Sequence, residues 1–162
     1  MSGTKFKNRH RLSRKEARLL QEQLIGSIGF SPAFSEDSLD VAETDKYTVM
    51  LEGNDIVGFF IDDRPYPTVR SLLKAPPDRR FVTIDMGAVS FVAGGADVMA
   101  PGIVDADKTI KEGDTVWIRD EKNLRPIAIG MALRSGEMMI TDKKGKAVRN
   151  LHHVGDDIWN IG

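Results

Sequence analysis

The adjacent prolines Pro76-Pro77 constrain this chain more than any other feature. Each fixes its own φ, restricts the residue before it and lacks a backbone donor, so no helix or central strand runs through the pair. The chain therefore reads as two pieces, residues 1–77 and 78–162, each of small-domain length. Together they are long enough to bury roughly 70% of the surface of the unfolded chain.

The first piece mixes helix and strand. Ser13-Arg14-Lys15-Glu16 has the spacing of a capping box, in which Ser13 accepts from the third amide beyond it and Glu16 reaches back to the Ser13 amide. Ala17, Leu20, Leu24 and Ile28 then recur at three and four residues and form one apolar stripe. The periodicity stops after Gly29, and the Ser/Glu/Asp-rich stretch from Ser31-Pro32 to Glu43 reads as a turn and connection. Tyr47 to Leu51 and Ile56 to Ile61 are strands around a Gly53-Asn54 hairpin, and Thr68 to Lys74 is a short helix opened by Pro67.

The second piece is mostly strand. Phe81 to Asp85, Asp97 to Ala100, Thr115 to Arg119, Pro126 to Arg134, Met138 to Thr141 and Ala147 to Val154 are strand candidates, separated by Gly-, Pro- and Asp-rich turns. One short helix, Ala88 to Ala93, ends at Gly94-Gly95. Six short strands and one helix predict a compact barrel.

Composition narrows the function. With no cysteine there is no disulfide, thiolate zinc site or cysteine nucleophile. Met1 to Lys7 has no apolar core of a signal peptide, and uncharged runs such as Met86 to Ala96 fall short of the ~20 residues that span a bilayer. A soluble cytoplasmic chain with no membrane partner is expected. Net charge is −1 overall, but it runs +5 over residues 1–22, −5 over 23–79 and −1 over 80–162. An anionic partner meets the N-terminus first.

Four ordered segments carry a family resemblance: Gly87-Ala88-Val89 through Gly95-Ala96-Asp97-Val98-Met99-Ala100-Pro101-Gly102-Ile103, Lys111-Glu112-Gly113-Asp114-Thr115-Val116, Pro126-Ile127-Ala128-Ile129-Gly130, and Gly145-Lys146-Ala147-Val148 leading to His152-His153 and Asp157-Ile158-Trp159. They resemble the PUA domain, an RNA-binding pseudo-barrel. Phe59-Phe60, Tyr66-Pro67-Thr68-Val69-Arg70, Leu72-Leu73 and Pro76 resemble the pre-PUA domain of the malignant T-cell amplified sequence and ligatin family. The resemblance implies an α+β fold, an N-terminal α/β pre-PUA domain followed by a PUA β pseudo-barrel. It also implies a role in translation (reinitiation or recycling) at the small ribosomal subunit, with ribosomal RNA or tRNA bound and an SUI1-domain protein as partner. The basic N-terminal segment looks more like archaeal relatives.

By the same resemblance, the RNA site comprises Gly94, Gly95, Ala96, Asp97, Val98 and Met99 with Arg149, Asn150 and His152 on the last strand. On its own Gly94-Gly95 is equally a helix C-cap. The cations Lys5, Lys7, Arg9, Arg11, Arg14, Lys15 and Arg18 read either as a solvated face or as phosphate contacts, and the RNA-binding module behind them favours phosphate. Arg14 and Lys15 oppose the helix dipole, which an anionic partner offsets.

Nothing in the sequence argues for an enzyme, a cofactor or a metal. Adjacent strand residues point to opposite faces, so His152 and His153 do not converge on one ion. Asp62-Asp63 and Asp105/Asp107 sit in turns, where Asp bonds its own backbone. Tyr66 and Trp159 are placed to fasten the pieces together rather than to stack on bases. The readings that compete with a translation role are an RNA-binding accessory subunit of a pseudouridine or archaeosine modification system, and a protein adaptor working through the acidic middle.

Overall fold

A computed structural model of the chain describes residues 5–29 and 34–161. The expected turn at Ser31-Pro32 lies outside the described residues. The N-terminal half is a five-stranded antiparallel sheet in the order β1 (Lys7–Arg11), β2 (Leu39–Glu43), β3 (Thr48–Glu52), β4 (Asp55–Ile61), β5 (Arg64–Pro67), with helix α1 (Arg14–Ile28) packed on one face. The capping box forms as expected: the Glu16 N–H donates to Ser13 Oγ at 3.1 Å and the Ser13 N–H to Glu16 Oε1 at 2.9 Å. Gly29 ends α1 at φ 77°, the left-handed conformation that a glycine adopts without penalty. Ala17, Leu24 and Ile28 of the stripe are buried against Leu39, Met50 and Val57.

A short helix, α2 (Val69–Lys74), leads to the second half, a six-stranded sheet ordered β7 (Val98–Met99), β11 (Lys146–His153), β10 (Pro126–Ala132), β9 (Thr115–Asp120), β6 (Phe81–Ile84), β8 (Ile103–Ala106). Only the β6–β9 pair is parallel. Helices α3 (Met86–Ala93) and α4 (Gly136–Thr141) complete it around Val82, Ile84, Val92, Ile118, Ala128 and Val148. The fold is α+β, as expected.

Some elements differ from the sequence reading. Met138 to Thr141 is helical: Ser135 Oγ accepts from the Met138 N–H at 3.2 Å, which starts α4, and Met139 alone of the apolar run is fully buried. The count of six strands survives because β8 takes its place. The segment before Glu43 ends in β2, and Lys7 to Arg11 is itself a strand, all five residues exposed, paired to β2 with Arg11 opposite Asp40. Strand β5 carries Pro65 and Pro67 and lies at the edge of its sheet, where a missing donor costs no ladder bond.

The halves share one apolar core. Val49, Phe59, Tyr66, Val69 and Leu72 from the N-terminal side pack with Trp117, Ile129 and Ile158 from the C-terminal side. Tyr66 stacks on Phe59 with centroids 5.4 Å apart, and the Arg70 guanidinium lies 3.9 Å over Trp159 while its Nε donates to the Trp159 carbonyl. Both aromatics serve the junction.

Candidate nucleic-acid interface

The glycine loop follows α3, whose first turn is capped by Asp85 accepting from the Ala88 N–H at 2.8 Å. Gly94 has an ordinary φ of −92°, so its backbone conformation is open to other residues. Gly95 is different: its φ is 102°, and a Cβ there would stand 3.1 Å from His153 Nε2. The loop is closed by Gly95 N–H to Val92 carbonyl (3.0 Å) and Ala96 N–H to Phe91 carbonyl (3.0 Å). At Gly102 a Cβ would meet Ala88 Cβ at 2.9 Å, so this glycine sets how closely the Ala100–Gly102 turn approaches α3.

Between them lies a cleft of about 360 Å³, lined by Ala88, Phe91, Ala96, Met99, Pro101 and Gly102 among others. Its rim is apolar and open to solvent. Phe91 is 70% exposed and Met99 47%, and Met86 at the start of α3 is 49% exposed. Phe91 and Met99 line the same cleft, and together they form an exposed apolar patch of the kind that marks a contact. The sequence reading missed Phe91 because an aromatic in a helix of Ala and Val looks like core; the signal was the turn of α3 it shares with Ala88, next to the glycines.

The structure distributes the expected RNA-site residues among several roles. Ala96 and Met99 line the open cleft, with Gly94 and Gly95 exposed beside it. Val98 is buried and faces the core. The Asp97 carboxylate accepts from the Asn150 N–H at 2.9 Å and pairs with Lys146 Nζ at 3.3 Å. Asn150 Nδ2 donates to the Val92 and Ala96 carbonyls at 3.1 and 3.0 Å, which fixes its amide orientation and sews the loop to β11. Asp97 and Asn150 thus shape the loop. Arg149 lies in a different cleft, with Arg64 and Tyr66.

His152 is not on the surface at all. It is 1% exposed, its Nε2 accepts from the Val69 N–H, and its Nδ1 lies 2.9 Å from both Asp156 oxygens. As a residue of the last strand, two beyond Asn150, it was expected on the RNA face; a register shift between Ile129 and Gly130 re-aims this stretch of β11 inward. His153 points the other way, toward Gly95.

The basic N-terminal segment is not a bare cationic arm. Lys7 pairs with Asp45, Arg9 and Arg11 with Asp40, Arg14 with Asp37 and Arg18 with Glu36. The hydrogen bond from Arg11 acts most strongly on the Asp40 carboxyl; burial opposes it, and with the weaker contribution of Arg9 the carboxyl is held below its usual range. The positive first stretch of the sequence is folded onto the negative second one. Among the described residues only Lys5 and Lys15 of the seven cations have no ion-pair partner.

This architecture, a pseudo-barrel with a glycine loop after its first helix, defines a PUA-domain protein, and the PUA domain family model matches residues 80–154. Over 160 residues the chain is 41% identical to an uncharacterized protein of Methanocaldococcus jannaschii, covering 96% of this chain and 98% of that one. It is 31% identical over 124 residues to translation machinery-associated protein 20 of Eremothecium gossypii, covering 73% of this chain and 68% of that one. The crystal structure of a hypothetical protein from Pyrococcus horikoshii superposes with a TM-score of 0.82 at 38% identity, covering 94% of this chain and 98% of that one. The chain belongs to the PUA-domain family of translation machinery-associated protein 20, that of the malignant T-cell amplified sequence protein and ligatin.

Proposed function

We propose that this protein binds RNA of the translation machinery and docks on the small ribosomal subunit, through the cleft between α3 and β7. The observation that carries the reading is the pairing of Gly95 at φ 102° with Phe91 at 70% exposure. The positive φ of the glycine folds the loop onto His153 and leaves the backbone of residues 94–96 exposed to a sugar-phosphate chain. The exposed ring offers an unpaired base a platform worth about 1–3 kcal/mol. The two carboxylates beside the cleft, Asp85 and Asp97, are spent on the α3 cap and on Asn150 and Lys146, so they help build the site. The name of the Eremothecium relative, which ties that protein to translation machinery, supports the same direction. The function is binding, without a reaction, and an SUI1-domain protein is the protein partner that fits the reading.

Co-sedimentation with purified small ribosomal subunits tests it. The parent chain pellets with the subunits, and Phe91→Ala, which removes only an exposed ring, weakens that binding about tenfold without lowering the melting temperature. Binding that is indifferent to Phe91 removes the cleft from the reading. Recovery of the chain with a pseudouridine or archaeosine synthase instead of the subunit transfers it to RNA modification.

A further inference from the structure

A second cleft, of about 350 Å³, opens where the two sheets meet, and Arg64 from β5 and Arg149 from β11 both line it. We propose that these two arginines form a phosphate-binding site. As an extension of the RNA reading, which it rests on for the source of the phosphate, the site takes a backbone phosphate of the RNA strand that enters the α3 cleft.

Among the described residues neither arginine has a carboxylate within ion-pair distance, in a chain where most cations of the N-terminal half are paired. Arg64 is nevertheless held. Its guanidinium lies 5.5 Å from the centroid of the Tyr66 ring, and its Nη2 donates to Thr115 Oγ1 at 3.3 Å. That bond crosses from one half to the other and leaves the remaining N–H donors of the guanidinium uncommitted. Arg149 is exposed, opposite Met131 in the β10–β11 register, and Leu151, at the bulge where that register shifts, lines the same cleft. Tyr66, Met131 and Leu151 give the cleft an apolar wall, which strengthens a charge-assisted hydrogen bond formed against it. Asp62 also lines the cleft, so one carboxylate stands against two guanidiniums and the balance stays positive. Planar, forked donors of this kind match phosphate better than an ammonium does.

The location ties the two clefts together. Arg149 and Asn150 are consecutive on β11, so their side chains leave opposite faces, Asn150 toward the glycine loop it anchors and Arg149 toward the second cleft. Strand β7 begins opposite Val148, which leaves the edge of β11 free of β7 from Arg149 onward, so an RNA strand passing that end of β7 crosses β11 at Arg149.

Arg64→Gln, Arg149→Gln and the double variant are measured in full-length protein against a single-stranded RNA across a salt series, and separately against inorganic phosphate by amide chemical shifts of Tyr66 and Leu151. Each arginine that touches an RNA phosphate lowers the magnitude of the log–log salt slope by about 0.7, so the double variant falls by about 1.4 with RNA preference unchanged. Among the described residues the Arg149 side chain makes no hydrogen bond or ion pair, so its variant reports on the cleft even where Arg64→Gln loosens the junction. The lysine versions retain the slope and lose part of the affinity. Phosphate shifts abolished in the double variant, without a change in RNA slope, make the ligand a free phosphate and keep the site. An RNA slope and phosphate shifts both identical to the parent overturn it. A parent that binds no RNA overturns the function proposed above, and the phosphate shifts then decide the cleft by themselves.

Discussion

The backbone N–H of Val69 donates to Nε2 of His152 at 3.1 Å, across the junction between the two halves. Nε2 therefore carries the lone pair, and the ring proton sits on Nδ1, where it faces Asp156. Asp156 in turn accepts from the backbone N–H groups of His153 and Trp159, both at 2.9 Å. One buried imidazole, edge-on to Phe59 at 5.2 Å, thus satisfies the first amide of α2 and orders the chain's last turn.

Replacing that ring is expected to loosen the whole molecule. His152→Ala leaves the Val69 N–H without a partner and opens a cavity against Phe59, at a combined cost of about 3 kcal/mol. Equilibrium urea unfolding checks this: the midpoint falls with the slope unchanged. A loss below about 0.5 kcal/mol, the scatter of neutral surface changes, shows that the junction is held by its apolar contacts alone.

Asp156 makes the same network sensitive to acid. Burial raises its carboxyl, but the hydrogen bonds from His152, Trp159 and His153 outweigh that and leave it below its usual range. A carboxyl whose folded pKa is depressed adds stability that is complete above its unfolded value and fades as pH falls through the folded one. Melting temperatures of the parent and of Asp156→Asn therefore differ most near neutral pH, and the gap narrows below about pH 4 as the parent carboxyl protonates. A gap that is constant down to strong acid assigns the effect of the variant to lost geometry rather than to charge.

The shared core bears on whether the halves stand alone. Residues 78–162 retain the barrel core around Val82, Ile118 and Val148, so the fragment is expected to keep its strands. It also bares Trp117, Ile129 and Ile158, which the N-terminal half covers in the intact chain. Thermal denaturation followed by circular dichroism should give a cooperative transition well below that of the full chain. A fragment with no transition means that the two halves form one folding unit.

Legibility in the sequence followed periodicity and local chemistry. The Ser13 capping box, the Gly53-Asn54 hairpin and the helix after Pro67 are written in adjacent residues, and the structure has all of them. Strand β1 was not legible because all five of its residues face solvent, so no apolar alternation marks it; its partner β2 sits well over twenty residues away. Helix α4 hid behind Met138-Met139-Ile140, a run too short for its period to be read. The glycine loop was visible as a motif, but what separates Gly95 from Gly94, the sign of φ, is set by tertiary closure against β11. Equally invisible was the pairing of the basic segment with Asp37, Asp40 and Asp45, since charge blocks report on partners only after the chain has had its own choice.

That internal pairing changes what the basic segment is expected to contribute to RNA binding. Deleting residues 1–12 removes Lys5, Lys7, Arg9 and Arg11, which as free cations would lower the magnitude of the salt slope for single-stranded RNA by about 0.7 each. Lys7, Arg9 and Arg11 already face carboxylates, so few of their counterions remain for RNA to release, and Lys5 alone is expected to register. The deletion also strips β1 from the edge of its sheet and leaves Asp40, 8% exposed, without the two guanidiniums that hold it charged. The expected outcome is a lower melting temperature, a slope change of about 0.7 or less, and an unchanged preference among RNAs. A slope change above about 2 shows that the arginines exchange Asp40 for phosphate when RNA arrives, which makes β1 part of the interface; a lost preference moves the reading of sequence from the glycine loop to the N-terminus.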